Sequence, residues 1–163
     1  MFLLSTANKV IGVGAMNNLV IRECKRDDID SILELQKEWT AEDITFGFTP
    51  ADKDYLNSKL GSYFFVAEQE REIVGFVYGT VHEATDLAVM CDGQKYIEVD
   101  DIYIKGEMRS KNIGSALIEK LLQTANENGI ERSLVYSATK DIDKVMKFYK
   151  KHGFKPWFVQ MYR

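Results

Sequence analysis

The stretch from residue 96 to residue 128 most constrains what this chain can fold into. It begins with a run of β-branched and aromatic residues, Tyr96–Ile104, that has the length and composition of a β-strand. It ends with apolar residues at the spacing of a buried helix face, namely Leu117, Ile118, Leu121, Leu122 and Ala125. A short, basic and polar turn joins the two parts. The sequence therefore predicts a strand–turn–helix unit.

The turn of this unit is suited to binding an anion. The first N–H groups of an α-helix have no intrahelical acceptor and lie at the positive end of the helix dipole. A phosphate group binds well at such a position. We therefore expect the function of the protein to depend on this junction.

The residues of the turn resemble a known motif. Residues 109–115 read Arg-Ser-Lys-Asn-Ile-Gly-Ser, which is similar to R/Q-x-x-G-x-G/A, the acyl-CoA-binding motif of the GNAT N-acetyltransferases. Arg109 fills the first motif position and Gly114 the last. Asn112 stands where the family usually has its first glycine. Because Asn tolerates positive φ better than most residues, the turn can keep its conformation.

A second segment resembles the same family. Val145–Phe154 is similar to A-x-x-F-Y-x-x-x-G-F, a helix that ends at a glycine and is followed by a strand. One face of this helix carries Val145, Phe148, Tyr149 and His152. Gly153 is suited to the left-handed conformation that ends a helix. The resemblance covers most of the chain from Leu19 onward and is specific from Tyr96 to Phe154.

Composition and charge narrow the class of protein. The 163 residues are 45% hydrophobic and 28% charged, which suits one globular domain with a core of its own. A net charge of −4 without a broad basic patch argues against a nucleic-acid partner. Cys24 and Cys91 fit no metal or redox spacing and indicate free thiols in a reducing cytosol. We therefore expect a cytoplasmic protein with neither a metal nor a membrane partner.

The chain is predicted to contain an N-terminal extension, residues 1–18, and one GNAT-like acyl-CoA N-acyltransferase domain, residues 19–163. Near the start, the apolar run Phe2-Leu3-Leu4 is too short for the core of a signal peptide.

Inside a predicted strand, Gly75 and Gly79 indicate a bulge or the close approach of another backbone.

The predicted element order is β-α-α-β-β-β-α-β-α-β. It gives an α/β fold in which helices flank a mixed, partly antiparallel central sheet. The elements not yet named are strands over Leu19–Cys24 and Ser133–Ser137, a helix after Asp28, a short helix over Asp52–Lys59, a hairpin of Ser62–Glu68 and Glu72–Val81, and a closing strand over Trp157–Tyr162.

The resemblance implies where acetyl-CoA, the co-substrate of the family, would bind. In that fold the strand matching Tyr96–Ile104 carries a bulge and splays from the strand matching Ser133–Ser137, and the pantetheine arm lies in the gap. The implied binding residues are Ile102, Tyr103 and Ile104 for the arm, and Arg109, Ser110, Lys111, Asn112, Ile113, Gly114 and Ser115 for the pyrophosphate.

Transfer of an acetyl group from a thioester to an amine requires a base for the amine and a proton for the departing thiolate. Glu98 and Asp100 lie two residues apart on a strand and so share a face, whereas Asp101 points the other way. Family members keep a base at one of these positions, and we rank Glu98 first, Asp100 second and Asp101 third. An acidic strand end that only binds a cationic amine is the alternative. Tyr149 matches the tyrosine that donates a proton to the coenzyme sulfur.

The acidic residues favour a positively charged acceptor. A polyamine, an aminoglycoside, a lysine side chain and a peptide N-terminus all fit. The acidic residues are Glu98, Asp100 and Asp101, with Glu83, Asp86 and Asp92 as further candidates, and the aromatic candidates for the acceptor pocket are Trp39, Phe46, Phe48 and Tyr55. Each aromatic residue has core packing as its alternative role.

We expect an acetyl-CoA-dependent N-acetyltransferase that acts by direct transfer on a small-molecule or peptide amine. A non-catalytic acyl-CoA sensor or interaction module of the same fold is the alternative, and Asn112 in place of a glycine is the feature that favours it. The oligomeric state stays open, with a homodimer among the options.

Overall fold

A five-stranded β-sheet runs through the protein, in a computed structural model that describes residues 18–163. The predicted N-terminal extension lies, apart from Asn18, outside the described residues. Sheet order follows chain order, with antiparallel pairing from β1 to β4 and parallel pairing between β4 and β5. The strands are β1 (Leu19–Glu23), β2 (Phe64–Gln69), β3 (Glu72–Glu83), β4 (Lys95–Ile104) and β5 (Arg132–Val135).

Helices flank this sheet, and the predicted fold class is confirmed. They are α1 (Ile29–Glu42), α2 (Lys53–Ser58), α3 (Ile113–Glu127) and α4 (Ile142–Lys151). Gly129 and Gly153 follow the ends of α3 and α4 with φ of +78° and +84°, the conformation in which glycine ends a helix. Among the described residues, no helix combines the length and the apolar character needed to cross a bilayer.

The sheet separates two apolar cores. On one face, α3 buries its predicted stripe against the sheet, and α4 adds Phe148 and Tyr149. We call this the α3 face; its buried residues include Leu117, Ile118, Leu121, Val77, Ile97 and Val99. The opposite, α1 face is covered by α1 and α2; its buried residues include Ile29, Ile32, Leu56, Phe64, Phe76, Tyr78 and Tyr103. Each large apolar side chain buried in this way stabilises the fold by about 1.5–3 kcal/mol.

A bulge interrupts the pairing of β3 with β4. Tyr78 lies opposite Asp101, but the next residue, Gly79, lies opposite Val99. Asp100 is therefore the extra residue on β4, and it shifts the side-chain alternation of the strand by one position.

Two glycines of β3 allow the close approach of β4. A Cβ at Gly79 would lie 2.6 Å from the backbone oxygen of Glu98, and one at Gly75 would lie 2.9 Å from that of Tyr103. The expectation that these glycines mark a bulge or a close backbone approach is confirmed.

Strand β4 pairs with β5 over only part of its length. The parallel pairing runs from Tyr96 to Val99, and β4 continues to Ile104 with no partner on this edge within residues 18–163. The amide of Lys105 donates to the carbonyl of Val74 on β3 at 2.9 Å. Because backbone groups alternate in direction along an antiparallel strand, those of Ile102 and Ile104 face the open edge.

The predicted closing strand over Trp157–Tyr162 is wrong. Residues 154–163 pair with no strand in the described part of the chain, and the side chains of Val159 and Met161 are 72% and 87% exposed. The segment has the composition of a strand, but β-propensity depends on a neighbouring strand to pack against. The ring of Tyr162 approaches that of Phe46 edge-on.

The tight crossing at Gly79 predicts a large cost for one added methyl group. We expect Gly79→Ala to lower the free energy of unfolding by about 1–3 kcal/mol, because the new Cβ meets backbone, which cannot rotate away. Urea denaturation measures the change. Gly106→Ala is the control, since a Cβ there meets only side-chain atoms at 3.5 Å or more. Equal midpoints for the two variants would contradict this account.

Candidate active site

The turn between β4 and α3 adopts the conformation that the sequence requires. Ser110 and Asn112 have φ of +63° and +62°, and Asn112 occupies the N-cap position of α3. The expectation that Asn112 tolerates the backbone conformation of a glycine is therefore confirmed. Its side chain makes no capping hydrogen bond within residues 18–163.

The amides of this turn are free donors. In the part of the chain that the structure describes, the N–H groups of residues 111–115 donate to no protein acceptor, and the first intrahelical bond is from Ala116 to Asn112 at 3.0 Å. Ser110, Lys111 and Asn112 are exposed. The turn therefore presents several N–H groups, and a lysine, at the positive end of the α3 dipole.

Gly114 brings three elements together. A Cβ at this position would lie 3.1 Å from Cδ1 of Ile104 and 3.4 Å from the ring of Phe148. Its φ is not positive, so the glycine serves close packing rather than backbone strain. The end of β4, the start of α3 and the body of α4 therefore meet at one point.

The side chain of Arg109 contacts protein groups. Its guanidinium binds both carboxylate oxygens of Glu42, with N–O distances of 2.5 and 2.8 Å, and its Nε donates to the carbonyl of Ile104 at 2.9 Å. The guanidinium also lies 5.3 Å from the ring centre of Tyr103. Burial tends to raise the pKa of Glu42, but its hydrogen bonds with Arg109 and Tyr103 outweigh burial and lower the pKa.

The bulge turns Asp100 and Asp101 to the same face. Asp101 accepts a hydrogen bond from the hydroxyl of Tyr78 at 2.5 Å. Asp100 accepts from Thr80 at 2.5 Å and from the ammonium of Lys59 at 3.1 Å. The prediction that Asp101 points away from Asp100 is wrong, because it assumed a strand without an extra residue.

Asp101 is the carboxylate with a perturbed pKa. Burial raises the pKa of Asp101 to about 6; the Tyr78 hydrogen bond opposes this rise, the charge of Asp100 adds to it, and that of Lys59 opposes it. Glu98 lies opposite Thr80, in the part of β4 that is paired on both sides. Asp101, in contrast, lies where β4 has separated from β5.

Tyr149 lies on helix α4 and packs on the α3 face. Its ring packs edge-on against Phe148 and Phe154, with centroid distances of 5.1 and 5.3 Å. Among residues 18–163 its hydroxyl has no hydrogen-bond partner. Burial raises the pKa of Tyr149, and the charge of Asp101 raises it further.

The aromatic pocket candidates fall into two groups. Trp39 stacks between Phe48 and Tyr103, with ring distances of 4.0 and 5.3 Å, and is part of the packing of the α1 face. Phe46 and Tyr55 are 49% and 45% exposed. The ammonium of Lys59 lies 5.1 Å from the Tyr55 ring and also binds Asp100, so Tyr55 lies beside the carboxylates.

Comparison with known proteins agrees with this geometry. The model of the GNAT acetyltransferase family matches residues 29–154, which include the open edge of β4, the turn and Tyr149. The chain belongs to the GNAT acetyltransferase family. A curated relative, human N-acetyltransferase 8, is 29% identical over 123 residues, which are 74% of this chain and 51% of the relative. The chain thus spans about half the length of this curated GNAT relative.

Solved GNAT structures share the fold. An aminoglycoside acetyltransferase from an uncultured soil metagenomic sample is 24% identical with a TM-score of 0.66, and the match covers 89% of this chain and 95% of that one. A predicted acetyltransferase from Clostridium acetobutylicum, solved with acetyl-CoA, is 18% identical with a TM-score of 0.68 over 89% and 96%. Glucosamine-6-phosphate N-acetyltransferase from Arabidopsis thaliana is 20% identical with a TM-score of 0.65 over 90% and 98%.

Sequence reasoning missed three residues that contact the predicted site residues. Glu42 lies 67 positions before Arg109, and no local pattern connects the two residues. Lys59 follows α2 and binds Asp100, and Tyr78 lies in β3 and binds Asp101. Neither contact is visible as a local sequence pattern. The glycine pair in β3 was a signal for the bulge, and locating the extra residue opposite the Tyr78–Gly79 step would have placed Asp101 on the same face as Asp100.

The left-handed conformation of Asn112 predicts a graded response to substitution. Asn112→Val should lower the free energy of unfolding by about 1–2 kcal/mol, because a β-branched residue is strained at positive φ, whereas Asn112→Gly should not lower it. Urea denaturation compares the two variants. Asn126→Val, at an exposed position inside α3, is the control and should change stability by less than about 0.5 kcal/mol. A destabilised glycine variant would contradict the assignment.

Proposed function

We propose that this protein is an acetyl-CoA-dependent N-acetyltransferase that transfers the acetyl group directly to a primary amine. The observation that carries the proposal is the arrangement along the open edge of β4. Free amides of the turn lie at its far end, Asp101 lies where the edge begins, and α4 carries Tyr149 on the α3 face. Membership of the GNAT family supports the same conclusion.

The unpaired backbone groups of the turn and of the open edge of β4 fit the diphosphate and the pantetheine arm of acetyl-CoA. The amides of residues 111–115 would donate to the diphosphate, with the exposed ammonium of Lys111 adding positive charge. The backbone groups of Ile102 that face the open edge would pair with the amides of the pantetheine arm, as a further strand would. Acetyl-CoA supplies the acetyl group as a thioester.

Asp101 and Tyr149 would divide the proton transfers. The amine must lose a proton before its nitrogen can bond to the thioester carbonyl carbon, and the Asp101 carboxylate would accept that proton. The carbon–sulfur bond then breaks, and the Tyr149 hydroxyl would donate its proton to the departing thiolate sulfur. Asp101 would release its proton to water and Tyr149 would regain one, so both groups return to their starting states.

Asp101 is preferred over the other two carboxylates for this role. A base works best with a pKa near the operating pH, and burial brings the pKa of Asp101 to about 6. The negative charge of Asp100 is compensated by Lys59. Glu98 lies within the paired part of β4, one residue before the pairing with β5 ends.

The acceptor is proposed to be a cationic small-molecule amine. Glu98, Asp100 and Asp101 contribute three carboxylates along β4, and among residues 18–163 the ion pair formed with them is that of Lys59 with Asp100, so the surroundings of the site stay acidic. Solved neighbours in the same fold are an aminoglycoside acetyltransferase and a glucosamine-6-phosphate N-acetyltransferase. A panel of aminoglycosides, polyamines and amino sugars is the direct test, with release of the coenzyme thiol as the signal.

The proposed base predicts the pH dependence of the enzyme. Asp101 accepts a proton only when it is ionised, so kcat/KM should fall as the pH drops through about 6. Asp101→Asn should lower kcat by about 100- to 10,000-fold and abolish that limb of the profile. Glu98→Gln is the matched variant and should keep the limb. Loss of the limb in Glu98→Gln, with Asp101→Asn still active, would transfer the role to Glu98.

The proposed acid predicts a separation of catalysis from binding. Tyr149→Phe should lower kcat by about 100-fold while the affinity for acetyl-CoA stays within about twofold, because only the proton donor is lost. Tyr162→Phe removes a hydroxyl from a ring that is 86% exposed and should have no effect. A wild-type protein that binds acetyl-CoA but acetylates no amine of the panel would indicate a sensor of the same fold.

A further inference from the structure

Glu42 is the centre of a hydrogen-bonded cluster at the far end of β4. Its carboxylate accepts from both terminal nitrogens of Arg109, at 2.5 and 2.8 Å, and from the hydroxyl of Tyr103 at 2.5 Å. We propose that Glu42 is a positioning residue, which holds Arg109 and thereby shapes the turn that binds the diphosphate of acetyl-CoA. The inference rests on the proposed function.

The cluster joins three elements. Glu42 is the last residue of α1, Tyr103 lies in β4, and Arg109 begins the turn. The Nε of Arg109 also donates to the carbonyl of Ile104 at 2.9 Å. This bond links the turn to the end of β4. Arg109 therefore fixes the start of the turn against both the helix and the strand.

The remainder of the turn depends on this attachment. Ser110 and Asn112 are exposed and hold left-handed backbone conformations, and the Asn112 side chain makes no capping bond in the described range. Left-handed residues other than glycine are individually unfavourable, so they persist only where the surroundings fix them. At the N-terminal end of the turn, the Arg109 cluster supplies that constraint.

The bonding of Arg109 also argues against direct contact with the diphosphate. Three of its donor nitrogens bind Glu42 and Ile104, and its charge is compensated by a two-pronged carboxylate contact. Both side chains of the pair are only about 28–29% exposed, so water weakens the contact little. The stacking of Trp39 on Tyr103, at 5.3 Å, supports the cluster from the α1 face.

Isothermal titration with coenzyme A tests the two roles against each other. If Glu42 positions the turn, Glu42→Gln should weaken the affinity for coenzyme A about tenfold, the effect of losing a charge-assisted hydrogen bond. Arg109→Met should weaken it to a similar degree, and the double variant no further, because the two side chains act as one unit. In steady-state assays, KM for acetyl-CoA should rise while kcat stays within about twofold.

The control is Glu72→Gln. Glu72 is a carboxylate that binds Lys105, just before the turn, at 2.7 Å, so its removal changes the local charge equally but leaves Arg109 held. It should leave coenzyme A affinity unchanged or slightly higher. Near-UV circular dichroism checks that each variant is folded, and Arg109→Lys replaces Arg109→Met if the latter unfolds.

The outcomes separate the two proposals. Unchanged or tighter binding in Glu42→Gln, together with weaker binding in Arg109→Met, would show that Arg109 contacts the diphosphate itself and would overturn the positioning role. Equal affinity in all variants would overturn it as well. Absence of coenzyme A binding in the wild-type protein would instead overturn the proposed function.

Discussion

The extra residue in β4 is the constraint on which the rest of the site depends. In a regular strand, successive carboxylates would point to opposite faces of the sheet. Because Asp100 is bulged opposite the Tyr78–Gly79 step, both Asp100 and Asp101 point to the α1 face, where Tyr78, Thr80 and Lys59 bind them. The same irregularity follows directly after the last residue of β4 that pairs with β5. One inserted residue thus coincides with both the placement of the acidic groups and the opening beside the strand.

The two cores meet at this opening. Asp101 belongs to the α1 face, whereas Tyr149 is carried by α4 on the α3 face, and the charge of Asp101 adds to the burial that raises the pKa of Tyr149. Side chains on opposite faces of a continuous sheet are separated by its backbone. Here β5 ends its pairing at Val99, so the two groups can approach the same space from either side. The separation of β4 from β5 therefore leaves a gap that groups from both faces of the sheet can line.

Much of the fold and part of the site follow from local patterns in the sequence. The helix of residues 113–127, the glycine-ended helix α4 and the positive φ of Asn112 all result from preferences of neighbouring residues, and all were predicted. The face of Asp101 was not, because alternation along a strand cannot reveal which residue is bulged. The Glu42–Arg109 pair was missed because its partners are distant in the chain. The closing strand failed because composition cannot supply a pairing partner.

The unpaired C-terminal segment lies outside the cooperative part of the fold. Phe154 is the last residue that packs against the α3-face core, and the described residues after it add no strand to the sheet. Both cores are therefore complete at Phe154. Local opening of residues 155–163 leaves both cores packed, so the backbone amides of this segment can exchange with solvent without global unfolding.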